Sequence, residues 1–249
     1  MTGRLNGKVA IITGASQGMG SAHAREFVAQ GAKVILTDIN QEAGERLADE
    51  LGESALFVRH DVVDANAWKS VVKKGEAKFG AINVLINNAG ILGPISSTID
   101  LPAEDFLQVC AVNQLAVFLG MQAVLPSMIR EGGGSIVNIS SVAGIVAIYG
   151  APSLAYVASK FAVRGMTKQV AVEYGAQNIR VNSIHPGYIR TPMMAAATDE
   201  EGGGALDMIP LRRLADPSEV SQLAIFLASD ESSFISGAEH IIDGGMTAL

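Results

Sequence analysis

Short apolar runs alternate with longer amphipathic stretches from one end of the chain to the other. Within the short runs the apolar residues are consecutive, which is typical of strands covered on both faces in a parallel sheet. The runs predict seven strands, at residues 8–13, 33–37, 55–59, 82–87, 135–140, 178–184 and 240–242.

The longer stretches carry the signals of helix ends. Glycine follows three of them, at Gly31, Gly52 and Gly80, and Asp216 with Pro217 forms an N-terminal cap before the last. Helices are predicted at 21–30, 41–51, 65–79, 102 to about 130, 154–174 and 217–228. Because strands and helices alternate with no linker or repeat, we expect an α/β fold with one domain, 1–249. It should be a doubly wound parallel sheet of the Rossmann type with helices on both faces.

Composition narrows the classes of function. Hydrophobic residues make up 49% of the chain, so disorder is excluded, and the net charge of −7 argues against nucleic acid as a partner. The longest apolar stretch is interrupted by Gly, Pro and polar residues, and no secretory signal pattern is present, so we expect no membrane span and a cytoplasmic location. A single cysteine and four scattered histidines form no ligand cluster, so no metal site is predicted.

The turn between the first strand and the first helix has the composition of a phosphate-binding loop. In its sequence TGASQGMG, Gly14 allows a sharp turn, Gly18 lets backbone approach a pyrophosphate, and Gly20 lets helix and strand lie close together. The helix N-terminus would supply free N–H groups to the phosphates. The spacing differs from the common G-x-G-x-x-G fingerprint, so an ordinary glycine turn stays an alternative at this point.

An acidic residue at the end of the second strand favours a particular dinucleotide. Asp38 lies 18 residues after Gly20, near the distance expected for a carboxylate that accepts hydrogen bonds from the adenosine ribose hydroxyls. Such a carboxylate repels a 2′-phosphate, and no basic residue accompanies it, so NAD is favoured over NADP. The alternative is that Asp38 caps the helix at 41–51.

A tyrosine and a lysine are placed for proton transfer. Tyr156 and Lys160 are four residues apart near the start of a predicted helix, so they share one face. We expect the ammonium to stabilise the phenolate and to lower the pKa of Tyr156 toward neutrality, which would suit it to acid–base chemistry.

Taken together, the motifs resemble those of the short-chain dehydrogenase/reductase family over nearly the whole chain. The ordered set consists of residues 13–20, 60–62 (HDV), 87–90 (NNAG), Asn113, 139–141 (ISS), Tyr156 with Lys160, and 186–187 (PG). The resemblance implies that Tyr156 is the general acid in ketone reduction and the base in alcohol oxidation. Lys160 would hold the nicotinamide ribose, Ser141 would bind the substrate oxygen, and Asn113 would hold a water that links Lys160 to solvent.

The resemblance also implies the cofactor contacts. Asp61 and Val62 would contact adenine, and the residues after the fourth and sixth strands would line the rest of the dinucleotide. The full set expected to bind NAD is Gly14, Ser16, Gln17, Gly18, Met19, Gly20, Asp38, Ile39, Asp61, Val62, Asn87, Ala89, Gly90, Tyr156, Lys160, Pro186, Gly187, Ile189 and Thr191.

One spacing departs from the family pattern. The family's active serine usually precedes the tyrosine by thirteen residues, where this chain has Ala143, whereas Ser141 precedes Tyr156 by fifteen. We choose Ser141 because the letters around it match the family motif, with Ser140 and Ser153 as alternatives. The longer loop is expected to contribute Ile145, Ile148 and Tyr149 to the substrate pocket.

The segment 188–214 is expected to form a lid over the substrate. It contributes Tyr188, Met193 and Met194, which indicate an adaptable apolar pocket, and its acidic part offers no cationic clamp. The chain most resembles bacterial hydroxysteroid and secondary-alcohol dehydrogenases, which implies a hydrophobic alcohol or ketone and a homotetramer. The alternatives are a 3-oxoacyl-carrier-protein or acyl-CoA reductase and a non-catalytic NAD-binding protein.

Overall fold

Seven parallel strands form a single sheet in the computed structural model, which describes residues 3–148, 150–197 and 204–248. The strand order is β3-β2-β1-β4-β5-β6-β7, and each adjacent pair is parallel. The predicted doubly wound sheet is confirmed. In chain order the strands are β1 (Val9–Thr13), β2 (Lys33–Asp38), β3 (Ala55–Arg59), β4 (Val84–Asn87), β5 (Gly134–Ile139), β6 (Ile179–Pro186) and β7 (Glu239–Ile242).

Helices cover both faces of the sheet and bury two apolar clusters. One cluster lies under α1, α2 and α9 and includes Phe27; the other lies under α3, α5 and α6 and includes Trp68. Because both faces are covered, consecutive residues of each central strand are buried, as the apolar runs predicted. The helices are α1 (Gly18–Ala29), α2 (Gln41–Leu51), α3 (Ala65–Phe79), α4 (Ala103–Cys110), α5 (Ala116–Glu131), α6 (Leu154–Tyr174), α7 (Pro192–Ala197), α8 (Ala205–Met208) and α9 (Pro217–Ala228).

Two predicted helices differ from the observed ones. The first helix begins at Gly18, three residues earlier than predicted, because the hydrogen bonding of the helix starts with the Ser21 N–H, which donates to the carbonyl oxygen of Gln17 over 3.2 Å. The long helix predicted from 102 to about 130 is interrupted by a π-type turn, Ala111–Leu115, between α4 and α5. Periodicity alone does not reveal this turn, since the apolar face continues through it.

Among the described residues, the combined helix 103–131 is long enough and apolar enough to cross a bilayer, judged by length and composition alone. Half of its most apolar window is buried inside the protein, where α5 contacts α3, β4 and β5. Core helices commonly have this composition because they are covered by protein on most sides. The helix therefore gives only weak support for a membrane span.

Polar side chains join the middle strands beneath α5. Asn87 on β4 donates from Nδ2 to Oδ1 of Asn138 on β5 over 2.9 Å, and Asn138 donates to Oγ1 of Thr167 over 3.0 Å. Gly120 on α5 lies against this link, because a Cβ built there would be 2.5 Å from Asn87 Oδ1 and 3.0 Å from the Trp68 ring. A helix can approach the sheet this closely only where it has no side chain.

We expect the substitution Gly120→Ala to destabilise the fold by about 1–3 kcal/mol, because the added methyl group has no space beside Asn87 and Trp68. Gly165→Ala is the matched control, since a Cβ at Gly165 in α6 would meet no atom within 4 Å and should be neutral or stabilise by about 0.5–1 kcal/mol. Urea denaturation followed by circular dichroism measures both. Equal effects of the two substitutions would contradict the close approach.

Candidate active site

The residues expected to carry chemistry collect at the carboxyl ends of the strands. Strand order reverses between β1 and β4, so the loops after these strands diverge and leave a crevice there. The phosphate-binding turn follows β1, and the NNAG motif follows β4. Ser141 follows β5 and the PG motif ends β6, so the fold alone brings together motifs far apart in sequence.

The turn after β1 has the backbone that its glycines predicted. Gly14 and Gly18 have φ values of +62° and +54°, in the left-handed region that favours glycine. A Cβ at Gly20 would lie 2.1 Å from the carbonyl oxygen of Gly14, so the first turn of α1 lies directly on the loop. The sharp turn at Gly14 and the close approach of helix and loop at Gly20 are therefore as the sequence indicated, and the approach of a pyrophosphate to Gly18 stays a prediction.

The N-terminus of α1 differs from those of three other helices in having no side-chain cap. Gln17 occupies the cap position without a capping hydrogen bond, and the first turn holds no acidic residue. By contrast, Asn40 caps α2, Asp64 caps α3, and Asp216 forms a capping box at α9. The first turn of α1 thus contains no acidic side chain and no side-chain cap, which suits it to binding phosphate groups.

Asp38 ends β2 beside this turn. Its Oδ2 accepts from the backbone N–H of Ser16 over 3.0 Å, and its Oδ1 accepts from the N–H of Asn40 over 2.9 Å. The helix-capping alternative is wrong, because the cap of α2 is Asn40, whose Oδ1 accepts from the N–H of Ala43. Asp38 instead joins the phosphate turn to the end of β2, and the adjacent Ile39 side chain is exposed.

The NNAG motif is bonded to the phosphate turn. Asn88 donates from Nδ2 to the carbonyl oxygens of Thr13 and Gly14, while Thr13 Oγ1 accepts from the N–H groups of Asn88 and Ala89. Thr13 and Asn88 lie within the predicted motifs but were not among the predicted site residues. Asn87 is buried and bonded to β5, so its side chain supports the sheet beneath the crevice.

The remaining expected adenine contacts lie after β3. Asp61 is exposed, and its Oδ1 accepts from the N–H of Val63, whereas Val62 is buried and its carbonyl accepts from the Trp68 indole. Because β3 is two strands away from β1 in the sheet, these residues lie on the same side of the crevice as Asp38. The arrangement agrees with an extended ligand that reaches from the phosphate turn toward β3.

Lys160 is a buried cation at the other end of the crevice. Its Nζ donates to the carbonyl oxygen of Ile139 over 2.9 Å, and it forms no ion pair with a carboxylate among the described residues. Burial lowers the pKa of Lys160 to about 8. A Cβ at Gly90 would lie 3.6 Å from this Nζ, so the loop after β4 runs close above the ammonium.

Asn113 lies in the π-type turn and fixes the same loop. Its Oδ1 accepts from the N–H of Ile91, and its Nδ2 donates to the Ile91 carbonyl, both over 2.8 Å. Nδ2 also lies 3.2 Å from Oγ of Ser159, next to Lys160 on α6. The side chain of Asn113 is therefore fully used in joining the loop after β4 to α6.

Tyr156 and Ser141 meet at the carboxyl end of β5. Burial raises the pKa of Tyr156, while a hydrogen bond with the Ser141 side chain acts in the opposite direction and is the weaker effect. The expectation that the pKa of Tyr156 falls toward neutrality is wrong for this arrangement, because desolvation of the phenol is the larger effect even though the Lys160 Nζ lies 5.6 Å from the ring centroid. Burial thus favours the protonated phenol, which is the form that can donate a proton.

An apolar cavity of about 190 Å³ opens beside Tyr156 and Ser141. Of the residues expected in the substrate pocket, Ile148, Tyr188, Met193 and Met194 line it. The expected cofactor residues that reach its wall are Met19, Pro186, Gly187, Ile189 and Thr191, and the alternative serines Ser140 and Ser153 also border it. Thr191 lies 3.5 Å from where a Gly18 Cβ would be, so the cavity adjoins the phosphate turn.

Ile145 and Tyr149 were also expected in the substrate pocket. Ile145 does not line the cavity, because the turn before it is bonded to α6 through Arg164 Nη1 and the Gly144 carbonyl, and the chain returns to the cavity only near Ile148. Tyr149 lies outside the described residues, as does the acidic part of the expected lid within 198–203.

Five wall residues were not predicted: Leu92, Ile95, Val142, Ala151 and Met246. Leu92 and Ile95 follow the NNAG motif, and Met246 follows β7. Both segments begin at the carboxyl ends of parallel strands, so the rule that ligands bind at this edge was a signal that could have identified them.

Comparison with known proteins identifies the family. A family model described as "Enoyl-(Acyl carrier protein) reductase" matches residues 14–247. The chain belongs to the short-chain dehydrogenase/reductase family, and it is an oxidoreductase. It is 45% identical to a "3-alpha-(or 20-beta)-hydroxysteroid dehydrogenase" from Mycobacterium bovis, over 100% of this chain and 92% of that one. It is 40% identical to a "Cyclohexanol dehydrogenase" from Acinetobacter sp., over 100% and 98%.

A solved structure of a family member has the same fold. The crystal structure of a short-chain type dehydrogenase/reductase from Mycobacterium marinum has a TM-score of 0.94 and 35% identity, covering 98% of this chain and 97% of that one. Dehydrogenases of this family use a nicotinamide dinucleotide. The uncapped end of α1 and the left-handed glycines of the turn before it fit the phosphates of such a cofactor.

Burial of the Lys160 ammonium should make the stability of the protein depend on pH. Because burial lowers the pKa of Lys160 from its ordinary value of 10.5 to about 8, the unfolded chain binds this proton more tightly, and stability should rise with pH between these values. At pH 7 we expect Lys160→Met to stabilise the protein by about 1–2 kcal/mol, a gain that shrinks as the pH approaches 10.

Denaturation with urea at pH 7 and at pH 10 measures this difference. The matched control is Lys168→Met on the same helix, since Lys168 is exposed and paired with Glu239, and it should show no comparable change with pH. A Lys160→Met protein that is less stable than the parent at pH 7 would contradict the cost assigned to burial.

Proposed function

We propose that the protein is an NAD(H)-dependent oxidoreductase that interconverts a hydrophobic secondary alcohol and its ketone, with Tyr156 as proton donor and acceptor. The observation that supports this most directly is the meeting of the Tyr156 phenol and the Ser141 hydroxyl on the wall of an apolar cavity. Lys160 lies beneath the same tyrosine, and the phosphate turn borders the same cavity. Cyclic, aryl or steroid-like substrates fit this description.

In the direction of ketone reduction, a nicotinamide held in the crevice would supply the hydride that the carbonyl carbon accepts. Negative charge then develops on the carbonyl oxygen, and a placed O–H group must neutralise it. Tyr156 donates its phenolic proton to that oxygen, and Ser141 holds the oxygen by its hydroxyl. Lys160 stabilises the phenolate that remains, and in alcohol oxidation the same groups act in reverse.

The choice of NAD rests on Asp38. Its carboxylate lies at the end of β2 beside the phosphate turn, where it would accept hydrogen bonds from ribose hydroxyls and repel a 2′-phosphate. The adjacent residues Ile39 and Gln17 bring no positive charge to this position.

The choice of an uncharged substrate rests on the cavity wall, which is formed mainly by Leu, Ile, Val and Met side chains. Three arginines near the expected lid, Arg190, Arg212 and Arg213, are each paired with a carboxylate. They therefore provide no free cation for an acidic substrate. The named activities of the relatives, on hydroxysteroids and cyclohexanol, support the same substrate class.

A carrier-bound acyl substrate is the second candidate, because the description of the matching family model names one. Such an enzyme should prefer NADPH and present a basic surface to an acidic carrier protein. Asp38 and the net charge of −7 disfavour both requirements.

A homotetramer is part of the proposal. The family resemblance implies one interface at the predicted helices 102–130 and 154–174 and another at the C-terminal strand region. Large apolar side chains are exposed in both places. The most exposed are Leu107 (64%), Val172 (83%) and Phe234 (103%). Where such side chains form a contiguous patch, the patch is commonly buried between subunits.

The first test follows absorbance at 340 nm with NADH or NADPH and a panel of ketones: a steroid, a cyclic ketone, an aryl ketone and an acetoacetyl thioester. We expect NADH-dependent reduction of the apolar ketones. Tyr156→Phe should lower turnover by about 10²- to 10⁴-fold because the proton donor is lost, whereas Tyr174→Phe, on the same helix but outside the site, should not. Reduction of the thioester alone with NADPH would favour the second candidate and refute the first.

A second test concerns cofactor choice. Asp38→Ala should reduce the preference for NADH over NADPH by about 10- to 100-fold, because a charged hydrogen-bond acceptor and a source of repulsion are removed together. Asn40→Ala is the control: it removes the cap of α2 and should cost about 1 kcal/mol of stability with no change in preference. Ratios of kcat/KM for the two cofactors provide the measurement, and an unchanged ratio in Asp38→Ala would refute the role of Asp38.

A further inference from the structure

We propose that His185 is a positioning residue that fixes the backbone of Ser141 and so aims its hydroxyl at the substrate oxygen. This inference rests on the proposed function, because it concerns the serine of that site. His185 lies near the end of β6, and its side chain is completely buried. The family resemblance assigned roles to Pro186 and Gly187 but none to the histidine before them.

Both ring nitrogens of His185 are hydrogen-bonded. Nδ1 lies 3.0 Å from the carbonyl oxygen of Ser141, and Nε2 lies 2.8 Å from Oγ of Ser183. Ser183 and His185 are two residues apart on one strand, so they share a face of the sheet, the face covered by α6. The three residues form a continuous link from β6 to the loop after β5.

The direction of these bonds follows from the chemistry of the groups. Burial lowers the pKa of His185, so the ring is neutral and carries one N–H. A carbonyl oxygen can only accept, and therefore Nδ1 carries the proton and donates it to Ser141. Nε2 is then an acceptor, and Ser183 donates its hydroxyl proton to it, which selects this tautomer.

The bond from His185 to Ser141 lies just beyond the carboxyl ends of the paired strands β5 and β6. The N–H of Ser140 donates to the carbonyl of Ile184 over 2.8 Å, and one residue later the His185 ring adds a link to Ser141. The Ser141 carbonyl also accepts from the N–H of Gly144 over 2.8 Å, and its Oγ accepts from the N–H of Ala143 over 3.1 Å. With the carbonyl held from two sides, the peptide plane after Ser141 cannot rotate freely.

The bond from His185 to Ser141 compensates for the extra length of the loop between Ser141 and Tyr156. Ser141 and Tyr156 are separated by two residues more than the family usually has, so the loop itself constrains Ser141 less closely. A donor from a central strand anchors Ser141 to the sheet independently of that loop. Loss of the donor would leave Ser141 present but misplaced relative to Tyr156, which costs rate rather than affinity.

The experiment uses four variants of the full-length protein. His185→Leu removes the donor at similar volume, and His185→Asn restores a donor at the δ position. Ser183→Ala removes the group that selects the tautomer. His23→Leu is the matched control, because His23 is also completely buried and bonded to a serine, Ser221, over 2.8 Å, but lies between α1 and α9.

With NADH and a ketone that the wild type reduces, we expect His185→Leu to lower kcat by about 10- to 100-fold while the KM and the dissociation constant of NADH change less than about twofold. His185→Asn should recover most of the rate, and Ser183→Ala should lie between. His23→Leu should lose thermal stability to a similar degree with kcat unchanged. Equal kcat in the His185→Leu and His23→Leu proteins, or no recovery in His185→Asn, would overturn the proposal.

A second readout does not depend on turnover. Serine labelled with ¹³C at the carbonyl, combined with ¹⁵N-valine, marks only two peptide bonds in this sequence, 70–71 and 141–142. The Ser141 carbonyl signal should move in His185→Leu and return in His185→Asn, while the Ser70 signal serves as an internal reference. An unmoved Ser141 signal would overturn the link even if no ketone is turned over, whereas absent turnover with a moved signal would refute the proposed function alone.

Discussion

The burial of one ammonium group is the constraint on which the site depends. Lys160 lies inside the protein with a backbone carbonyl as its hydrogen-bond acceptor and no described carboxylate as a partner. A charge in such a place is costly, and the lowered pKa expresses that cost. Neighbouring features accommodate it: Gly90 has no side chain above it, and the π-type turn around Asn113 holds the Gly90 loop in place. The protein gives up stability here to keep a cation beneath Tyr156.

The parallel sheet supplies the rest of the geometry. Because every strand has its carboxyl end at the same edge, Asp38, the phosphate turn and Ser141 lie in order along one crevice. One end of the crevice has a carboxylate and a helix N-terminus without a side-chain cap, and the other has a phenol, a hydroxyl and an apolar cavity. A dinucleotide is long enough to connect the two ends, and the fold thereby separates cofactor recognition from chemistry.

Much of this arrangement could be predicted from sequence, because local patterns encode it. Apolar runs gave the strands, and the cap of α9 at Asp216 was recognisable from Asp-Pro alone. The π-type turn at Asn113 could not be predicted, since it depends on bonds to Ile91 and Ser159 that only the tertiary structure provides. The raised pKa of Tyr156 depends likewise on burial, which the spacing of Tyr and Lys does not report. The rule that ligands bind at the carboxyl ends of the strands points to the segments that hold Leu92, Ile95 and Met246, but which of their residues reach the cavity depends on loop paths that sequence does not define.

In the proposed reaction, a hydride passes directly to the ketone carbon while Ser141 holds the ketone oxygen and Tyr156 protonates it. Reduction of a cyclic ketone with NADH carrying deuterium at C4, followed by mass spectrometry and NMR of the alcohol, tests it most directly. We expect deuterium on the carbinol carbon, from one face of the nicotinamide only, with the hydroxyl proton coming from the protein and solvent. An alcohol with no deuterium at that carbon, or no alcohol at all, would contradict it.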